Sequence, residues 1–240
     1  MDERRRTTLI GGAALGLPLD DAWIHAAFAR NLALDRTWGL FAGEPSGGES
    51  SLLWPAVLAL GELGGAALAP VLALVLGSAS FLILPGLVGA LASTPVRGRW
   101  IAGAVGLCGP LVFLALSGME TIPALTAGTG ALVLLRRGHV GRAATAAGIA
   151  VLLRPDSVLL VAVLAAGVAV GRRDGPPLRS ATLLWAWSRL WPAIALVLLA
   201  VILLSLLERH FPPATLGGRR WLVGLPADLA PSGAPGGLLA

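Results

Sequence analysis

Charge in this sequence is confined to short intervals between long apolar runs, and that alternation restricts the fold more than any single motif. Ala66 to Ser93, Trp100 to Ser117, Ile122 to Leu135 and Pro192 to Leu207 contain no charged residue. A helix needs about 20 residues to cross the ~30 Å hydrocarbon core of a bilayer, so the longer runs read as transmembrane segments. With 56% hydrophobic residues, 13% charged residues and a mean hydropathy of +0.81, the chain falls in the multi-pass membrane class. The net charge of +5 does not point to nucleic acid. All 18 basic residues are arginines, most of them in the short intervals, where the positive-inside rule accounts for them. The lack of Lys and Tyr beside abundant Ala, Gly and Leu suits a high-GC bacterial coding bias. A lone cysteine, Cys108, excludes intramolecular disulfides and cysteine-based metal sites.

Taken in order, Arg4, Arg5 and Arg6 precede an uncharged stretch, Thr7 to Leu19, that spans only about 20 Å as helix. It reads as a signal-peptide core or a shortened first membrane helix. Leu52 to Leu63 is also short and reads as a re-entrant or tilted helix. Ala66 to Ser93 is long enough to cross, with Pro70 and Pro85 as ends or kinks. Trp100 to Ser117 is the next crossing, broken at Gly109-Pro110. Ala143 to Val170 is interrupted by Arg154-Pro155-Asp156, and Trp185, Trp187 and Trp191 before Pro192 form an aromatic-belt pattern. A single crossing between Leu52 and Ser93 puts Arg97, Arg99, Arg136 to Arg142 and Arg172 to Arg179 on the side of Arg4 to Arg6. Asp20, Asp21, Glu120, Arg154, Asp156 and Glu208 then fall on the opposite, outer side. The expected fold is all-α, a polytopic transmembrane helical bundle over residues 1–220, followed by a Pro/Gly-rich tail over 221–240. An extracytoplasmic loop over 20–51 is expected to contain an amphipathic helix.

Leu17 to Trp54 is the longest polar interval. Asp20 and Asp21 open a helical run, Ala22 to Leu34, and a Gly/Ser/Glu segment closes it. One Asp suffices to cap a helix, which leaves the second unexplained. At helical spacing Asp21, His25 and Phe28 share a face, and a carboxylate beside an apolar surface suits a general base. His25 reads as a ligand or proton partner, on a weak signal. Elsewhere, Glu120 reads either as a charge favoured by a helix N-terminus or as a functional carboxylate. Arg154 and Asp156 read either as an ion pair closing a helical hairpin or as functional groups, because ionisable residues at membrane depth are costly.

The segments Asp20-Asp21-Ala22-Trp23, Ala29-Arg30-Asn31-Leu32, Gly43-Glu44-Pro45, Ser50-Ser51 and Leu53-Trp54 resemble the first extracytoplasmic loop of GT-C type membrane glycosyltransferases. The resemblance is closest to the bacterial branch of terminal β-(1→2)-arabinofuranosyltransferases. Ser117-Gly118-Met119-Glu120-Thr121 and Arg154-Pro155-Asp156 are similar to two further elements of that branch, in the same order. Pro213-Ala214-Thr215 echoes a downstream Pro-Asn-Thr motif without its Asn, and Glu49 stands where relatives carry an uncharged residue. Members of the branch are longer, and this chain corresponds to their N-terminal half.

The resemblance implies a GT-C-like core in a bacterial plasma membrane, with the active site facing outward. It implies transfer of a sugar, with inversion, from a polyprenyl-phosphate donor to a cell-envelope glycan, lipid or protein hydroxyl. Asp20 or Asp21 would be the base. Arg30, Asn31, Glu49, Glu120, Arg154 and Asp156 would bind donor phosphate and substrate. No cofactor is required, and Asp20 with Asp21 permits a divalent cation without demanding one. The alternatives are an inactive remnant or partner-dependent subunit of such an enzyme, or a lipid or sugar transporter. Transport would place charges near the membrane midplane.

Overall fold

The computed structural model describes residues 17–63, 68–170 and 180–208, and within them every regular element is a helix. The only β-type pairing among these residues is an isolated bridge between Phe41 and Glu44. Among the described residues nine α-helices follow one another: α1 (Asp20–Asp35), α2 (Leu53–Leu63), α3 (Leu68–Ala90), α4 (Pro95–Gly106), α5 (Gly109–Ala115), α6 (Thr121–Arg136), α7 (Val140–Leu153), α8 (Val158–Val170) and α9 (Ser180–Glu208). The arginines at 4–6, 172, 173 and 179, Pro213-Ala214-Thr215 and the 221–240 tail lie outside the described residues. So do the side chains of Trp185 and Trp187.

Helix α3 and the Ser188–Leu207 part of α9 are each long and apolar enough to cross a membrane. The α4–α5 pair adds a third candidate span, bent by 61° at its break. The bend falls where Gly109-Pro110 predicts it, because Pro110 cannot donate to the helix ladder. Pro85 does not end α3, which runs on to Ala90. Where α3 meets α5, a Cβ on Gly77 would lie 2.3 Å from the Ala115 carbonyl oxygen, so only glycine permits that approach.

Chain direction follows from the packing. Arg136, at the end of α6, donates to the Ala90, Leu91 and Ala92 carbonyls at the end of α3. Those contacts satisfy helix-terminal acceptors and bring both C-termini together, beside the starts of α4 and α7. Arg97, Arg99, Arg137 and Arg142 are exposed at that same end. Ala69 and Ala73 of α3 pack at the other end with Trp54, Leu58, Ala124 and Leu153. Leu164 of α8 lies on Ala147 of α7 and Ala131 of α6, so the chain doubles back after Arg154. Pro155 explains the turn. It disfavours helical geometry at Arg154, which is extended at φ −143° and ψ 115°.

Helices α6, α7 and α8 have 16, 14 and 13 residues, about 20–24 Å at 1.5 Å per residue. They fall short of a ~30 Å core. Helix α1 and residues 36–52 cover the end where α6 starts and α7 stops. Phe28 and Trp38 meet edge to face there at 5.3 Å and pack on Leu204 of α9.

Helix α1 is less amphipathic than expected. Ala22, His25, Ala26, Phe28 and Ala29 form one broad buried arc, and Asn31 is buried on the side opposite Ala22. The helix is wedged into the protein instead of lying on a surface. Its N-cap is Leu19, with no side-chain cap, and Asp20 and Asp21 occupy the first helical turn. There they favour the positive end of the helix but cap nothing.

With Cys108→Ala removing the native thiol, cysteines at the exposed Ser50 and Ser93 are expected to label from opposite faces of the membrane. On the arginine distribution, a membrane-impermeant thiol reagent reaches position 50 in intact cells and position 93 only after permeabilisation. Labelling of both from one face would mean that α3 does not cross.

Candidate active site beneath the first loop

The covered end of the bundle holds a polar cavity of about 200 Å³, walled by Asp21, His25, Glu49, Glu120 and Arg154, with Ile24 and Met119 at its sides. Its walls come from α1, the loop before α2, the start of α6 and the end of α7. His25 is at the centre. Its Nδ1 is hydrogen-bonded to Glu49 Oε2 at 2.6 Å. Its Nε2 approaches Glu120 Oε2 at 2.6 Å as an ion pair, off the ideal N–H line. Glu120 Oε1 lies 3.2 Å from Arg154 Nη1, which also donates to Thr121 Oγ1 at 2.8 Å. Arg154 Nη2 is 3.6 Å from Asp156 Oδ2.

Local sequence explains how each group is held. The second Glu49 oxygen accepts the Ser51 backbone N–H at 2.7 Å, and Ser51 Oγ accepts that of Trp54 at 3.2 Å. A serine hydroxyl that accepts an early helix N–H fixes where the helix starts, so Ser51 sets α2 and Glu49 sets Ser51. The Leu52 N–H donates to the Leu152 carbonyl at 3.1 Å, which ties the loop to α7. Trp54 Nε1 donates to the Gly118 carbonyl at 3.0 Å. Gly118 has φ +83°, a conformation that suits glycine and turns the chain towards Glu120.

The electrostatics follow from burial and pairing. Burial alone would push the His25 imidazole down, but close contacts with Glu120 and Glu49, and their charges, outweigh it and raise its pKa from 6.5 to about 9. Burial likewise favours neutral Glu120, yet the contact with His25, and then the charges of His25 and Arg154, hold it below the ordinary carboxylate value. His25 is therefore an imidazolium at neutral pH.

The expected site residues divide into two groups. Asp21, Glu49, Glu120 and Arg154 line the cavity, and Asp156 adjoins it through Arg154. Asp20, Arg30 and Asn31 are not among the lining residues. Neighbouring helical residues project about 100° apart, and of the pair only Asp21 lines the cavity. Asn31 is fully buried and donates to the Gly39 and Leu40 carbonyls at 2.8 and 3.0 Å, which fixes the chain after α1. No group of three or more His, Cys, Asp or Glu arranged for a metal ion occurs among the described residues. Glu49 and Glu120 flank opposite nitrogens of one ring, which separates them.

In the sequence alone His25 carries only a weak signal. Its i, i+4 relation to Asp21 was the available signal, since both partners lie far along the chain.

Stability is expected to depend on pH in a direction fixed by these shifts. The raised His25 pKa contributes stability that is complete below pH 6.5 and lost as pH rises through about 9. The lowered Glu120 pKa contributes stability present above pH 4.5 and lost on acidification. Thermal melting in detergent should therefore fall on the alkaline side, and His25→Gln should abolish that limb. A wild-type melting temperature unchanged through pH 9 would contradict the pairing.

Compared with family models, characterised proteins and solved structures, the chain matches none.

Proposed function

We propose that this protein is a membrane-embedded glycosyltransferase of the GT-C type, taking a sugar from a polyprenyl-phosphate donor. The observation that carries the reading is a convergence. Asp21, Glu120 and Arg154, drawn from separate segments that resemble elements of that family, wall one polar cavity together with Glu49. An apolar groove of about 170 Å³ adjoins it, lined by Leu52, Val151, Pro155, Val158 and Val201 among others. Ser50 belongs to both spaces. A polar pocket continuing into an apolar groove suits an amphipathic ligand, with its head among charges and its chain along α7, α8 and α9. The charged groups gather at one end of the bundle, away from its middle, which favours transfer over transport.

In the proposed reaction the acceptor hydroxyl gives its proton to the Asp21 carboxylate. The acceptor oxygen bonds to the anomeric carbon from the face opposite the phosphate. The bond from that carbon to the phosphate oxygen breaks, and polyprenyl phosphate leaves as an anion. Arg154 is the natural stabiliser of that anion, because its side chain is 36% exposed and guanidinium matches phosphate oxygens with two parallel donors. The outward orientation rests on the arginine distribution.

Asp21→Asn is expected to reduce transfer from a polyprenyl-phosphoryl arabinofuranose to an oligosaccharide acceptor by about 10²-fold, the scale of lost general-base assistance. Asp20→Asn, with its side chain off the cavity, should stay within a few-fold. Equal losses, or none, would remove Asp21 from the role. Donor affinity in nanodiscs gives a second test. Arg154→Gln should weaken it by about 2–5 kcal/mol, as for one partner of a desolvated charge pair, and Arg154→Lys should restore only part. Three equal affinities would assign Arg154 to hairpin closure alone.

A further inference from the structure

We infer that His25 is the positioning residue of the cavity: as an imidazolium wedged between Glu49 and Glu120, it holds two buried carboxylates in place and so keeps Glu120 on Arg154. The effect on activity rests on the transferase reading, whereas the placement itself does not.

The two glutamate side chains are 1% and 6% exposed. One belongs to the loop before α2 and the other to the start of α6. Like charges buried this close need a compensating charge, and a buried carboxylate that loses its counter-ion is costly. Glu120 has a second cation in Arg154. For Glu49, His25 is the only cation in contact among the described residues. The other charged groups at the cavity are Asp21, one turn before His25 on α1, and Arg154 at the end of α7. Asp156 stands behind Arg154. The lining thus carries three carboxylates against His25 and Arg154, a net charge of −1 with the imidazolium and −2 without it.

Loss of the charge on His25 has a defined structural consequence. Glu49 then seeks water and takes Ser51 with it, because the Ser51 N–H is bonded to Glu49. The Ser51 cap of α2 and the adjacent Leu52–Leu152 tie follow. Glu120 is left to Arg154 alone. The walls of the cavity separate, and Arg154 is drawn towards the carboxylates and away from an incoming anion.

Ser51 is fully buried, so a cysteine there reports on the loop. In Cys108→Ala protein in nanodiscs, Ser51→Cys should react slowly with a membrane-impermeant maleimide. Adding His25→Gln should raise the rate at least ~10-fold, as expected for local opening. Adding Glu49→Gln and Glu120→Gln to that variant should return the rate to within ~3-fold of the parent, since neutral amides do not repel. An unchanged rate in His25→Gln, or fast labelling that persists in the combined variant, would overturn the inference, the latter because His25 then acts by bulk. A readout without substitutions at the cavity is the ¹⁵N spectrum of the His25 ring in His139→Gln/His210→Gln protein. Two protonated ring nitrogens at pH 8 are expected, and a neutral tautomer would overturn the inference. Neither measurement needs a transfer assay, so an inactive protein with the expected labelling and spectrum would count against the glycosyltransferase reading alone.

Discussion

The charged chain from Glu49 through His25 and Glu120 to Arg154 is the interaction on which this end of the molecule depends. It joins α1, the first loop, the start of α6 and the end of α7, segments that the hydrophobic effect alone would not register against one another. Apolar packing can slide, and lipid removes most of its drive towards helix association. Buried ionic contacts do not slide, because displacement leaves a charge uncompensated. Glu49 also fixes the start of α2 through Ser51, so one carboxylate serves both the cavity and the fold.

Short helices give these charges their place. α6, α7 and α8 are shorter than a full bilayer crossing needs, and α7 ends at the extended residue Arg154. Non-helical backbone inside a bundle of apolar helices is tolerated where it lines protein or a wet cavity. Here Arg154 lines the polar cavity and its neighbour Pro155 the apolar groove. The opposite end has exposed arginines, with Arg136 bonded across to the carbonyls that end α3.

Much of this was legible in the sequence, because hydropathy and proline act locally. The short helix after Ser51, the break at Gly109-Pro110 and the extended Arg154 all follow from residues within a turn or two. Among the described residues Arg97, Arg99, Arg136 and Arg142 gather at the end opposite Glu120 and Arg154, as parity predicts. Other features depend on partners far along the chain. His25 meets Glu49 and Glu120, 24 and 95 positions away, and no periodicity encodes that. Helix α1 was expected to be amphipathic, yet tertiary packing buries it on more than one side. Leu19 holds the N-cap position in place of an Asp. Arg30 and Asn31, expected among the substrate contacts, do not line the cavity, and Asn31 holds the loop after α1.

The central claim is that the first loop folds down onto the end of α7 and closes the cavity. The Leu52 N–H and Leu152 carbonyl are 3.1 Å apart, and both side chains line the apolar groove. A backbone hydrogen bond holds the two Cα atoms close, near the separation that a disulfide spans. Mild oxidation of Leu52→Cys/Leu152→Cys protein in a Cys108→Ala background should therefore form an internal disulfide, read by intact mass and peptide mapping. A pair of thiols that stays reduced under conditions that oxidise a free dithiol would contradict the account.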